Sequence, residues 1–553
     1  MSNSFEKFLQ EHECLLDEMK SSDGTRRFPI NIPKLQEGRS IDAAWLEIPP
    51  SFASGGLARV SLPKKYILKI PHIEHDGHLC IDGDPGVMSG ASLEERLEQV
   101  IDLFYSSFLE PWSNGLLDNH FSIEAMNYWA IHYSRRFTST QPIVKVFTTD
   151  HEPDVSRVYK STFIENRRIV IAGDDSAIRT RYASSLSSGS TISSVMVAEI
   201  PIAFPFTPDN WPKNVNDIQR LITVKLGADD AGKFLTSVGR RERDIHKIVV
   251  FRAPGCAFGY LLPGGPPTKV KAINSVKSLP NRSLIPLNVE RLDVGWTTGR
   301  DQHPEYIARQ LKHVLIIGAG ALGSPVAEQM AKSGVGKLTL VDDDNLSSAN
   351  IGRHTLGANS IGYSKVEQLA QSISVRWPSC NATGVKLTIH EWLKANSIKD
   401  VDIILDLTGE PEVRSIVDQK RNKYPTGFLI AWMEPYVAAA HVCLLTPGTP
   451  WLAHGVDKLD RFNTVDWPLE VIASEPSCSS NFQSYTSAAA LHAVALTTEA
   501  ALELIDNKVS NSSVRHWIRG QQYLDKCFFG LKLRDWASFA SDADGVIREF
   551  SFD

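Results

Sequence analysis

The chain has 553 residues, 42% of them hydrophobic and 22% charged, with a formal net charge of −6 and a pI near 6.3. That balance gives no global electrostatic reason to bind nucleic acid, and no window approaches the ~20 consecutive apolar residues of a membrane span. Seven cysteines, an odd count without a C-x-x-C pair, argue against a disulfide framework or a zinc knuckle, so a cytoplasmic protein of about three domains is expected.

In chain order, MSNSFEKFLQEHECLLDEMK reads as a charged amphipathic helix and not a signal peptide. Strands follow up to Cys80. The stretches ASLEERLEQVIDLFYSSFLEPW and FSIEAMNYWAIHY are helical, which makes residues 1–150 a small α+β domain. Residues 151–300 carry strand-like RRIVIAG, SVMVAEIPIAF and HKIVVFRA around a helix at NDIQRLITVKLG, an α/β unit without a motif. The cluster Arg240, Arg241 and Arg243 reads as a solvated helix face. From 301 to 553 strands alternate with helices: HVLIIG, KLTLVD, VDIILDL, FLIAWM and AHVCLLT are the strand candidates of a doubly wound parallel α/β core.

The first of these strands ends in Gly318, Gly320 and Gly323, at G-x-G-x-x-G spacing before a helix. Such a turn brings backbone N–H groups and a helix N-terminus to a phosphate chain. The next strand ends in Asp342, about where an acidic residue grips a ribose hydroxyl. Alone, this pattern suits NAD or FAD. Asp344, Asn350, Arg353 and Lys365 then add cations and a second carboxylate to the same sheet edge. A pyrophosphate cofactor needs neither, whereas a triphosphate needs cations and commonly magnesium, so the charges favour ATP.

Among the cysteines, Cys443, Cys256 and Cys527 sit in apolar or aromatic company and read as inert. Cys478 lies in the polar stretch EPSCSSNFQSYTS before a helix, where a thiol can be accessible and partly ionised. Cys80 lies in PHIEHDGHLCIDGDP with His72, His75 and His78 close by, each a candidate for polarising an acyl group or relaying a proton.

The run G-x-G-x-L-G, G-V-G-x-L-x-L-V-D-x-D, S-x-x-N-x-x-R and a downstream lysine resembles the ThiF-type adenylation domain of ubiquitin-activating enzymes and of their bacterial relatives that adenylate the C-terminus of a sulfur-carrier protein. The resemblance implies that Asp342 holds the ribose, that Asn350, Arg353 and Lys365 surround the triphosphate, and that Asp344 lies near the reacting phosphate. The family's magnesium aspartate has Gly409 in its place here, which leaves Asp406 to hold Mg2+, with Glu410 the alternative. A partner subunit's arginine often reaches the γ-phosphate in that family; Arg291 and Arg300 both remain open for the role. Activating enzymes also keep a thioester cysteine downstream of the ATP site, the position of Cys478.

The segment G-H-L-C-I-D around Cys80 resembles the thioester turn of ubiquitin-conjugating enzymes, without their H-P-N motif, and His72 stands where its asparagine would be. A chain resembling a conjugating enzyme in front and an activating enzyme behind is similar to the fusion proteins of anti-phage CBASS operons, the CD-NTase-associated protein 2 family. That resemblance implies a cGAS-like nucleotidyltransferase conjugated through its C-terminus to an unidentified amine, and a homodimer formed through the adenylation domain. The competing readings are an NAD- or FAD-dependent oxidoreductase with an appended domain, and a non-catalytic scaffold of degenerate folds.

Overall fold

The computed structural model describes residues 3–20, 23–81, 91–150, 154–187, 189–236, 246–262, 284–452, 457–471, 473–474, 481–482, 485–527 and 530–552. Cys478 and the Arg240, Arg241 and Arg243 cluster therefore lie outside the described residues. Two compact units result.

The first unit comprises Met1–Phe147, Glu152–Ala172 and Ile192–Glu290. After helix Asn3–Glu11 comes an antiparallel meander of strands Met19–Lys20, Arg26–Pro29, Trp45–Ile48 and Arg59–Ser61. Alternation puts Phe28, Leu46, Ile48 and Val60 inside, as a half-buried sheet requires. Helix Leu93–Leu103 starts at a capping box: Ser92 Oγ accepts the Glu95 N–H and the Glu95 carboxylate accepts that of Ser92. Its Leu97, Val100 and Ile101 are buried.

Seven further strands, from Lys145–Thr148 to Ile285–Arg291, close into a barrel in which Ile192–Pro201 runs parallel to Lys247–Ala253. Val146, Val170, Val197, Val250 and Leu287 fill the interior. Other barrel residues, among them Ile200, Phe251, Phe258 and Tyr260, share a core with Phe104, Tyr128 and Trp129 of the front stretch. The Trp129 indole N–H donates to the Leu287 carbonyl at 3.0 Å. Where the sequence suggests parts at 1–150, 151–300 and 301–553, the front and middle stretches thus pack around a common core, because both faces of the barrel strands are apolar.

The second unit comprises Thr148–His151, Gly173–Thr191 and Arg291–Asp553. Helix Ser176–Ser187, from the middle of the chain, belongs here: Arg181 Nε and Ser185 Oγ donate to the carbonyls of Pro378 and Val375 just beyond and within helix Lys365–Arg376. The eight-stranded sheet runs in spatial order Asn381–Val385, Lys337–Val341, His313–Ile317, Ile403–Asp406, Gly427–Met433, Ala439–Leu445, Ser513–Ile518 and Val546–Ser551. The first five strands are parallel and the last three antiparallel. The expected α/β doubly wound core is present. Its order reverses between His313–Ile317 and Ile403–Asp406, which opens a crevice at the strand C-termini beside the glycine loop.

Helix Ser487–Ile505 is long and apolar enough to cross a membrane by length and composition, a window that the composition reading passes over. It packs in the sheet's core, where Ala493, Ala500, Ala501 and Ile505 join Leu429 and Leu444.

Candidate active site

The glycine loop follows from steric need. Gly318 has φ +85°, and a Cβ on it would stand 2.9 Å from Thr408 Cγ2; a Cβ on Gly323 would fall 1.9 Å from the Gly318 carbonyl oxygen. Only glycine lets helix Gly323–Lys332 start this close to the strand end. A Cβ on Gly320 would meet nothing within 4 Å. Gly320 lines a cavity of about 490 Å³ whose other walls include Arg353, Thr408, Gly409, Trp432, Glu434 and Tyr485.

Asp342 braces the loop. One carboxylate oxygen accepts the Ala319 N–H at 2.7 Å and the other that of Asp344 at 2.9 Å. Each oxygen keeps a further lone pair for a ligand hydroxyl. Lys365, 9% exposed at its side chain, places Nζ 2.7 Å from Asp344 Oδ2, while the Asp344 side chain is 69% exposed. Asp342, Asp344 and Lys365 stand beside the cavity and not in its lining. Asn350 organises the next turn: its side-chain oxygen accepts from Ser347 N and Oγ, and its carbonyl accepts the N–H groups of Arg353 and His354. Arg353 donates to the Ala349 carbonyl and stands 5.7 Å from the Tyr485 ring centroid.

His354 escaped the sequence reading. Nε2 donates to the Ala319 carbonyl at 2.7 Å and Nδ1 accepts the Leu356 N–H at 3.0 Å, an arrangement that suits a neutral ring. Burial pushes its pKa down to about 4. Trp432, Glu434, Asn463, Trp467 and Tyr485 also went unread, although they form much of the cavity wall. Glu434 is buried and receives four hydrogen bonds, from His441, Thr464 N, Thr464 Oγ1 and Val465 N. It ties the far wall to the sheet.

Asp406 does not suit the metal role expected of it. It is fully buried, the cavity lining begins one residue later at Leu407, and its Oδ1 accepts both Thr408 N and Oγ1. Magnesium takes a near-octahedral set of oxygens and keeps several waters; a carboxylate sealed beneath the cavity cannot share that shell. Among the described residues, no group of three or more His, Cys, Asp or Glu side chains could hold a metal ion. Burial instead pushes the Asp406 pKa up from 3.8 to about 6. A folded value above the unfolded one favours the protonated form. The Asp406 contribution to stability is therefore fully present below about pH 3.8 and is lost as pH rises through about 6, a difference of at most about 3 kcal/mol. Asp406→Asn is expected to remove this decline and to melt above the parent at pH 8 but not at pH 4. Parallel melts across that range test it; identical pH profiles would refute it.

Of the two arginines left open for the γ-phosphate, Arg291 is closed in a fork on Asp293 and Asp301, while Arg300 stands 5.0 Å from the Trp296 ring centroid.

In the first unit, the Cys80 thiol is exposed. Its N–H donates to the His72 carbonyl at 2.8 Å, and residues 73–79 fold back in a tight turn bridged at Ile73 and Leu79. His72 is buried with φ +62°. Its neighbours are His120, Glu124 and Tyr128, none of which the sequence reading singled out. His78 turns elsewhere, to Glu47 at 3.0 Å and Asp76 at 2.8 Å, and its pKa is raised chiefly by the Glu47 hydrogen bond. His75 is exposed. Burial pushes the thiols of Cys256 and Cys380 up to about 11 and about 12, and that of Cys443 well above its ordinary value, so these three are poor nucleophiles.

Residues 304–443 match the model of the ThiF family. This ThiF-type stretch lies within the second unit. That ThiF stretch contains every nucleotide candidate from Gly318 to Asp406 and neither candidate thiol. The chain is 24% identical over 281 residues to the ATP-dependent ubiquitin transferase-like protein Cap2 of Pseudomonas aeruginosa, covering 48% of this chain and 50% of that protein. It is 33% identical over 153 residues to the molybdopterin-synthase adenylyltransferase of Haemophilus influenzae, covering 28% of this chain and 63% of the relative. The chain thus spans about half the length of the Cap2 protein it matches. The expected kinship with the activating and conjugating fusion proteins is met by relatives that bear the Cap2 name. Among solved structures, E. coli MccB with ATP is similar at a TM-score of 0.31 and 16% identity, over 42% of this chain and 64% of that one.

Proposed function

We propose that the second unit uses ATP to adenylate the C-terminal carboxylate of a partner protein, and that the acyl group passes to Cys478, then to Cys80, and finally to an amine. The observation that carries this reading is the assembly at one sheet edge of the Gly318–Gly323 loop, Asp342, the Lys365–Asp344 pair and Arg353, within a stretch of ThiF type. ATP is the substrate whose phosphates meet the loop's N–H groups; the carboxylate attacks the α-phosphorus and pyrophosphate leaves. Lys365 and Arg353 neutralise charge as it builds, the sort of electrostatic stabilisation that dominates phosphoryl chemistry. No step runs through magnesium, because Asp406 does not fit it. The relatives' names support adenylation and transfer of a ubiquitin-like kind. A cGAS-like nucleotidyltransferase as the partner, a homodimeric enzyme and a cytoplasmic location belong to the same proposal.

A nicotinamide or flavin oxidoreductase would explain the glycines and Asp342 but gives no work to Lys365, Arg353 or the Cys80 turn. Exchange of labelled pyrophosphate into ATP, stimulated by a candidate partner, separates the enzyme from both the oxidoreductase and the scaffold. Cys478→Ala should retain that exchange and form no thioester, whereas Cys80→Ala should accumulate a thioester at Cys478. Unimpaired amide formation by Cys80→Ala would remove the front thiol from the route.

A further inference from the structure

Around Cys80 the fold brings together four groups that the proposal above leaves idle. Glu124 directly precedes helix Ala125–Arg136, Tyr128 lies one turn into it, and His120 begins the short helix before it. All three converge on His72, whose carbonyl holds the Cys80 N–H. Tyr128 accepts the His72 N–H at 2.8 Å and donates to Glu124 Oε2 at 2.6 Å. This pins His72 in the left-handed region, where a non-glycine residue carries a strain of roughly 1–3 kcal/mol. His72 Nδ1 lies 3.4 Å from Glu124 Oε1, and its Nε2 lies 2.8 Å from His120 Nδ1.

These contacts set the direction of the protons. A carboxylate only accepts, so it holds the His72 proton on Nδ1 and leaves Nε2 as an acceptor. His120 Nδ1 must then donate, which leaves the lone pair on His120 Nε2. His72 and Tyr128 are buried, while His120 is half-buried and the Cys80 thiol is exposed. A proton taken at His120 Nε2 creates a cation whose charge is offset by Glu124 through His72. The raised pKa of Tyr128, caused mainly by burial and secondarily by Glu124, also includes a contribution from the Cys80 thiolate, so the sulfur lies within electrostatic reach of the cluster. His78, held by Glu47 and Asp76, is not part of it.

We infer that His120, backed by His72 and Glu124, is the base that takes the proton of an amine attacking a Cys80 thioester, with Tyr128 as a positioning residue. The inference rests on Cys80 as an acyl carrier. In the step, the amine nitrogen bonds to the thioester carbonyl carbon and the C–S bond breaks with its electron pair going to the Cys80 sulfur. The surplus amine proton goes to His120 Nε2, and from there to water.

The test uses the full chain with Cys478→Ala, loaded at Cys80 from a short peptide mercaptoethanesulfonate thioester and discharged with free lysine, followed by intact mass. This loading needs neither ATP nor a partner. His120→Ala and Glu124→Gln should load as the parent does and discharge on the order of tenfold to a hundredfold more slowly. Added imidazole should restore His120→Ala but not Glu124→Gln, a response that a purely structural role for His120 would not give. Discharge within twofold of the parent in both variants overturns the inference, as does a loss in His120→Ala that imidazole leaves unchanged. Failure of the parent to load at Cys80 overturns the acyl-carrier assignment as well; pyrophosphate exchange, which needs neither group, tests the nucleotide reading separately.

Discussion

Gly323→Ala is expected to abolish ATP–pyrophosphate exchange and to lower stability by on the order of 3 kcal/mol or more. The added methyl would stand 1.9 Å from the Gly318 oxygen and 2.9 Å from its carbonyl carbon, both backbone atoms with little freedom to retreat. Gly318 is held by its N–H on the Val341 carbonyl at 2.9 Å and is hemmed by Thr408. Relief requires the helix to lift from the strand end, which moves the N–H groups proposed to meet phosphate. Gly320→Ala is the control, since its Cβ enters open space beside the cavity: it should keep the parent's melting temperature and lose affinity for ATP alone. Melting curves and exchange rates on the two variants test the pair. A Gly323→Ala protein that melts and exchanges like the parent would show that the loop is not the rigid cradle described.

Lys365→Met should lower exchange by about 10²–10³-fold while leaving the melting temperature nearly unchanged. The asymmetry follows from where each partner sits. The Lys365 side chain is 9% exposed, so its ammonium is held in place, whereas Asp344 is 69% exposed and returns to water when the lysine is removed. Deleting the pair therefore adds little instability, yet in the proposed reaction it strips a fixed cation from the developing phosphate charge. Lys365→Arg should not rescue, because a planar fork cannot replace a point charge at the end of a buried stem. Rates of exchange at saturating ATP decide the matter; activity within threefold of the parent in Lys365→Met would remove Lys365 from the chemistry.

Several parts of this arrangement were legible in the sequence because they are local. Gly318, Gly320 and Gly323 report a backbone turn that needs no distant partner, and runs such as His313–Ile317 and Ile403–Asp406 show strands buried on both faces. Strand Asn381–Val385 is harder to read, since it lies at the sheet edge and is built of polar or small residues with no buried position. Strand Ser513–Ile518 carries Arg515 and His516, whose polarity hides it until its neighbours are known.

The functional residues divide along the same line. Asp342, Asp344, Arg353 and Lys365 could be picked out by spacing, but that Asp342 fastens the glycine loop through Ala319 depends on a contact across 23 positions. Asp406 has the residue type for a metal and the wrong placement, because the end of its strand points it into the interior and not the cavity. His120 meets His72 across 48 positions, with no periodicity to announce it.

Taken by itself, the amino-acid order determined the parallel core, its glycine turn and the chemical identity of the charges beside it, since these follow from short-range backbone sterics and strand periodicity. Tertiary packing alone decided which walls close the cavity, which carboxylate is sealed from water and which histidines touch. Desolvation and side-chain approach are properties of neighbours brought together by folding, and neighbours distant along the chain leave no local pattern.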